Sequence, residues 1–229
     1  MLVNDIEIGI EHKPIKNIHL AVYPPDGRVH ISAPMDVSDE LLRLYAFEKM
    51  PWIQEKIDTL TSYKIQPPRE FVSGETHYYL GSKYKLYITR DYNSIPFSIK
   101  KKGNNIYVVV HKDTKASRIE QLLNDWYKSE LTHLIDNYVK KWSEIVGISP
   151  DIWLIQQMSK RWGSCSKPKK KIIFNLQLAK KPTICIEYVV AHEMIHLIER
   201  THNAHFTRLL DTYFPNWEHI KRELNEFPL

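Results

Sequence analysis

The chain carries almost no sulfur that could cross-link it: of 229 residues only Cys165 and Cys185 are cysteines. Two thiols make no disulfide framework, which excludes the small secreted scaffolds that depend on one. No stretch approaches the ~20 consecutive apolar residues that a membrane-spanning helix needs. The opening Met1-Leu2-Val3-Asn4-Asp5-Ile6-Glu7 has neither a basic segment nor an apolar run, so no secretory leader is visible. Together these absences lead us to expect a cytoplasmic protein without membrane contact. No internal repeat and no low-complexity tract is evident, and Pro67-Pro68 is the one linker-like spot. What remains is ordinary globular material, 43% hydrophobic and 26% charged, enough for one large domain or two small ones.

Composition shifts near residue 115. Before it, short β-rich runs alternate with turn signals: Asp26-Gly27 between 18–23 and 29–31, Gly81-Ser82 between 78–80 and 84–88, and Gly103-Asn104-Asn105 between 97–100 and 106–110. A helical pattern over 38–62, broken at Pro51, is inserted among them. After it, apolar residues recur at helical spacing over 117–146, 183–200, 204–213 and 217–226, with a short β segment at 152–158 and 171–176. The fold class is therefore α+β, with a β-rich region of hairpins at 1–114 and a mainly helical domain with a small sheet at 115–229.

The chemistry concentrates in His192-Glu193-Met194-Ile195-His196, an H-E-x-x-H on the second predicted helix of that domain. Positions i and i+4 share a helix face, so both imidazoles can point at one ion. Glu193 can then take a proton from the water that ion activates without being a ligand itself. Thr183 reads as the N-cap, and Ile186, Val189, Val190, Met194, Leu197 and Ile198 form the stripe that the helix buries. A helix with two merely hydrogen-bonded histidines would leave Glu193 unexplained, since a buried charge is costly.

A catalytic zinc needs a third protein ligand and one open position. His202 follows His196 by the spacing of the metzincin pattern, yet Glu199 stands where those enzymes have glycine and no methionine follows for a Met-turn. A continuous helix would carry His202 off the ligand face, so the chain must turn near Arg200-Thr201. His205, Glu218, Glu223 and Glu226 are the rivals, since a carboxylate from a later helix can complete such a site. Asp211 either orients a ligand imidazole or is a solvated acid. Cys165 next to Ser164 would be a nucleophile only if the histidines were free of metal.

The net charge of +5 points to anionic partners. Lys160, Arg161, Lys167, Lys169, Lys170 and Lys171 gather around Trp162-Gly163-Ser164-Cys165, either as a solvated turn or as a cradle for phosphate or nucleic acid. Arg161 could bind a phosphate bidentately or stabilise an oxyanion, while Trp162 packs in the core. One of the strands at 152–158 and 172–178 could offer an edge to an extended peptide.

The block Arg161-Trp162-Gly163-Ser164-Cys165, followed by Asn175, Leu178, Glu187 through Glu193, His196, His202 and Phe206, resembles the YgjP-like metal-dependent hydrolases, relatives of the SprT-like and other zincin-type peptidases. Phe71-Val72-Ser73-Gly74-Glu75 and Tyr79-Leu80-Gly81 are similar to that family's N-terminal region, so the likeness spans nearly the whole chain. Thr201 and Asn203, on either side of His202, depart from the family's usual residues. The resemblance implies a zincin-like catalytic domain at 115–229, with Zn²⁺ or another divalent metal held by His192, His196 and His202, and Glu193 as general base. It implies a peptide or protein substrate. A nucleotide pyrophosphatase that uses Lys160 and Arg161, and a binding module merely stapled by zinc with His205 or Cys165 as fourth ligand, are the alternatives.

Overall fold

The computed structural model describes residues 1–23, 27–62, 69–92 and 97–226, with the side chains of 59–62 and 226 outside that description. The chain divides at Pro67/Pro68 into two compact units; that dipeptide and Asp26 themselves lie outside the described residues.

In the first unit, β1 (Leu2–Val3), β2 (Ile6–Lys13), β3 (His19–Tyr23) and β4 (Arg28–Pro34) form a sheet in the order β1-β2-β4-β3, followed by helices α1 (Asp39–Glu48) and α2 (Met50–Ser62). Strands β2 and β4 are parallel, and the outer pairs are antiparallel. Alternation decides which face is covered: Ile8, Val29, Ile31 and Ala33 point inward and share a core with Leu42, Ala46 and Ile53. Ser38 caps α1, its hydroxyl accepting from the Leu41 amide at 3.4 Å. The helical pattern breaks as Pro51 predicts: α1 ends before Lys49, and Pro51 sits in the first turn of α2, where no backbone donor is missed.

The second unit begins by repeating that arrangement. Strands β5 (Thr76–Tyr79), β6 (Ser82–Asp91), β7 (Ser98–Lys102) and β8 (Asn105–His111) form a sheet in the order β5-β6-β8-β7, with β6 and β8 parallel, and helix α3 (Ala116–Val146) follows. The first hairpin turns correspond as well. Each has two central residues with positive φ, Asn4 (47°) and Asp5 (62°) in one, Leu80 (46°) and Gly81 (81°) in the other, as a tight hairpin requires. Ile106, Val108 and Val110 of β8 occupy the inward positions that Val29, Ile31 and Ala33 hold in β4. The recurrence is one of topology, and no repeat in the residues accompanies it. The two copies share an alternation and a turn type rather than residue identities, and alternation is common to all half-buried strands.

The rest of the second unit is β9 (Ile152–Gln156), β10 (Gly163–Ser166) and β11 (Lys171–Asn175), a sheet in the order β10-β11-β9, then α4 (Thr183–Ile195), α5 (Ala204–Tyr213) and α6 (Trp217–Glu226). Leu86 and Val108 from the first sheet, Leu123 and Ile135 from α3, and Val190 from α4 belong to one continuous core. The boundary between units therefore falls at Pro67/Pro68 and not near residue 115, because the sheet of β5–β8 buries its inner face against the helices that follow. Helices α3, α5 and α6 lie where the periodicity predicts. Strand β10 was not foreseen, since Gly-Ser-Cys-Ser carries no β-branched or aromatic residue.

Candidate metal centre

Helix α4 is buried almost all round, not along a single stripe: α3, α5, α6 and β10 all pack on it. Pro182 precedes it as the cap, with Thr183 already its first residue. Glu187 fastens it to α3, accepting from Lys141 Nζ at 2.6 Å and from Trp142 Nε1 at 3.3 Å. The helix stops at Ile195, so His196 stands at its end and the chain turns earlier than the periodicity suggests.

That turn is what returns His202 to the helix. The Glu199 carboxylate accepts from the backbone amide and the hydroxyl of Thr201, each at 3.1 Å, and these bonds hold it down at a pKa of about 2. No residue from Leu197 to Asn203 takes a positive φ, so the bend does not need the glycine found in metzincins. A side chain clamps the turn instead. Asn203 then caps α5, accepting from the amides of His205 and Phe206 at 2.9 and 3.0 Å.

The result brings three imidazoles together. His202 Nε2 lies 3.0 Å from His192 Nε2 and 3.1 Å from His196 Nε2. All three rings rest on Phe206, with centroid distances of 5.0, 4.6 and 4.8 Å. His196 Nδ1 lies 2.9 Å from the Glu199 carbonyl, which can only accept, so its Nε2 presents a bare lone pair. A single hydrogen on His202 Nε2 cannot point along both short contacts. A cation between the nitrogens resolves this, and tetrahedral Zn–N bonds of about 2.0–2.1 Å would space them by roughly 3.3 Å. The donor set therefore fits a divalent ion. Burial, reinforced by His196 and His202, pushes His192 down to about 3, which keeps its ring neutral and able to ligate. His192 Nδ1 is buried with no hydrogen-bond partner among the described residues.

Glu193 faces the same cleft from a buried position, 5% exposed, and its Oε2 has no hydrogen-bond partner among the described residues. Burial pushes its carboxyl up to about 8, against the pull of Arg161. Gly163 of β10 passes directly over it. A Cβ at Gly163 would lie 2.5 Å from Glu193 Oε1 and 2.6 Å from its Cγ, closer than any real contact. Gly163 is thus dictated by the carboxylate, a role that the sequence motif quotes but does not explain.

A cavity of about 670 Å³ joins these parts, lined by the three histidines, Glu193, β10, and the cations Arg161, Lys167 and Arg200. Asn175 holds the loop that carries Arg161: its Nδ2 donates to the carbonyls of Met158 at 2.9 Å and Arg161 at 2.8 Å. Lys160, Lys169, Lys170 and Lys171 do not line the cavity, whereas Arg200, which sequence reasoning passed over, does. Trp162 packs against the core, donating to Asn225 Oδ1 at 3.2 Å.

The other candidates for third ligand lie apart from the three imidazoles among the described residues. His205 Nδ1 lies 3.5 Å from Glu199. Among the described residues, neither Glu218, Glu223 nor Cys165 joins the histidine cluster, and the Glu226 side chain lies outside them. Asp211 is exposed and accepts from Trp217 Nε1 at 2.9 Å, so no ligand imidazole is oriented by it. Strand β11 is the centre of its sheet and cannot present an edge, and β10, not β9, is the edge beside α4. Burial and the nearby Glu193 raise the Cys165 thiol to about 11, the reverse of what a nucleophile needs.

No curated protein matches this chain. Among solved structures, the metallopeptidase zymogen of Pyrococcus abyssi abylysin aligns at 18% identity and a TM-score of 0.36, over 38% of this chain and 89% of its own. No helix among the described residues is long and apolar enough to cross a membrane. Residues 16–227 match the YgjP-like metallopeptidase domain. The chain belongs to the YgjP-like metallopeptidase family, and so to the metal-dependent hydrolases.

Proposed function

We propose that this protein is a zinc-dependent peptidase that hydrolyses an extended peptide laid along β10. His192, His196 and His202 would hold the ion through their Nε2 atoms, and the observation that carries the reading is their convergence beside a buried, partly unpaired Glu193. When bound, the ion lowers the pKa of water toward ~7 and polarises the scissile carbonyl.

Glu193 is the general base. Beside a dication its carboxylate is favoured despite burial, and its free Oε2 can take a proton from the attacking water and pass it to the leaving amine. Gly163 leaves that carboxylate room, and Arg161, held by Asn175, supplies a guanidinium at the cavity wall where negative charge develops. Strand β10 is antiparallel to β11 and, among the described residues, has no strand on its other side, so a peptide can pair with it. A zinc staple with four protein ligands is disfavoured, since no fourth His, Cys, Asp or Glu joins the cluster among the described residues. Cys165 and Cys185 are both free thiols, which suits the reducing cytoplasm.

The test is turnover of an unfolded-protein panel and of nucleoside triphosphates by zinc-loaded protein, with Glu193→Gln as control and metal content measured for both. Peptide cleavage lost in a variant that still holds one zinc supports the reading. Triphosphate hydrolysis without peptide cleavage overturns it in favour of a pyrophosphatase.

A further inference from the structure

The walls of the cleft carry a charge that general-base hydrolysis does not require. Arg161 lies two residues before the start of β10, Lys167 follows its last residue, and Arg200 stands on the turn that brings His202 to the site; all three line the cavity. Among the described residues, none hydrogen-bonds or ion-pairs with the guanidinium of Arg161 or of Arg200, although Arg161 acts on the Glu193 carboxyl through its charge. The Lys167 ammonium spends one donor on the Ile198 carbonyl and keeps its charge. Among the described residues, the only acid in the lining is Glu193, and it is buried. Arg161 and Lys167 flank the four-residue strand β10 and stand six positions apart in the sequence, so a paired peptide of about six residues covers both. A chain paired to β10 would therefore run from one cation to another within the cavity that Arg200 also lines.

We infer that the cleft selects peptides that carry carboxylates within about three residues of the scissile bond. This rests on the peptidase reading above. Unpaired guanidinium groups bind carboxylates bidentately, and a cleft lined by one sign of charge concentrates the opposite sign. The carboxylate can come from Asp or Glu side chains or from a free C-terminus, two sources of one chemistry.

The experiment compares six peptides of one length and core sequence: Glu, Gln or Lys at the positions flanking the core, each with a free or an amidated C-terminus. Zinc-loaded full-length protein is assayed for kcat/KM, and fluorescein-labelled copies are titrated into zinc-loaded Glu193→Gln by anisotropy. The Glu set should exceed the Lys set by about tenfold or more in both readouts, and the gap should narrow at high salt. Arg200→Glu should shrink that ratio, and Arg118→Glu, which changes the same charge on α3 outside the cavity, should leave it. A preference that follows the free C-terminus and ignores the flanks assigns the cations to the terminal carboxylate; one that follows the flanks assigns them to side chains. Equal rates and affinities for all six, with cleavage still lost in Glu193→Gln, overturn the inference and leave the peptidase reading standing. No cleavage of any peptide by the parent protein overturns both.

Discussion

The first four strands with α1, and β5–β8 with α3, are two versions of one arrangement that differ in what is built onto them. In the first, the turn Asn4–Asp5 closes a sheet whose core is completed by α1 and α2. In the second, the matching turn is bonded to the segment leading into α4: the Leu80 amide donates to the Ala179 carbonyl at 2.9 Å, and the Gly81 amide to Lys180 at 3.2 Å. Gly81 also lies against Pro182, where a Cβ would come within 3.0 Å of the backbone. The same alternation and turn type thus give the same sheet twice, and the second copy is bonded to the segment that leads into the helix carrying His192, Glu193 and His196. The lesson is that strand pattern fixes topology, and a few cross-bonds decide which copy serves the site.

Substitutions at matching positions can break that comparison. The largest effect should come where the second unit has no counterpart in the first: Gly163→Ala drives a methyl into the Glu193 carboxylate and should cut kcat by about 100-fold or more while the protein stays folded and binds zinc. Retained kcat would show that Glu193 has room to move. Next, Gly81→Ala should destabilise the protein by roughly 2–4 kcal/mol, since it adds left-handed strain to a backbone collision with Pro182. Asp5→Ala, at the matching turn, should cost under about 1 kcal/mol, because a side chain is already accommodated there. Chemical denaturation of both variants checks this, and equal losses would erase the distinction between the copies.

Smaller effects sharpen it. Ile31→Val and Val108→Ala remove buried methyl groups at matching strand positions and should each cost about 1–2 kcal/mol. Only Val108→Ala should also weaken zinc binding, measured by competition with a chelator, since only its core is shared with α4. The smallest difference concerns acid. Burial holds His77 of β5 well below its ordinary pKa of 6.5, outweighing its bond to Glu75. The unfolded chain therefore takes up a proton there that the folded one refuses, and stability falls as pH drops below about 6.5. Compared with His77→Asn, the parent should lose more stability between neutral and mildly acidic pH. Parallel curves would show that His77 is solvated.

Much of this was legible in the residues. The H-E-x-x-H spacing marks His192, Glu193 and His196, and the periodicity marks α3, α5 and α6. Pro51 marks the break between α1 and α2. That His202 joins His192 and His196 could be expected only among rivals, because its return depends on a turn clamped by the Glu199 side chain, a contact that spacing does not encode. Strand β10 escaped because its residues lack strand propensity and it exists by pairing with β11.

What the sequence by itself determined is the set of local choices: which runs alternate, where a helix caps or stops, and which side chains bear the chemistry, all of which act over a few residues. What the tertiary structure alone decided is proximity between distant segments. It placed Gly163 on Glu193, Arg161 and Arg200 in the lining of one cavity, and Phe206 beneath three imidazoles. It also joined β5–β8 to the helical core and so moved the boundary to Pro67/Pro68. The physical reason is that close packing resolves which buried faces meet, and a chain's own periodicity says only that such faces exist.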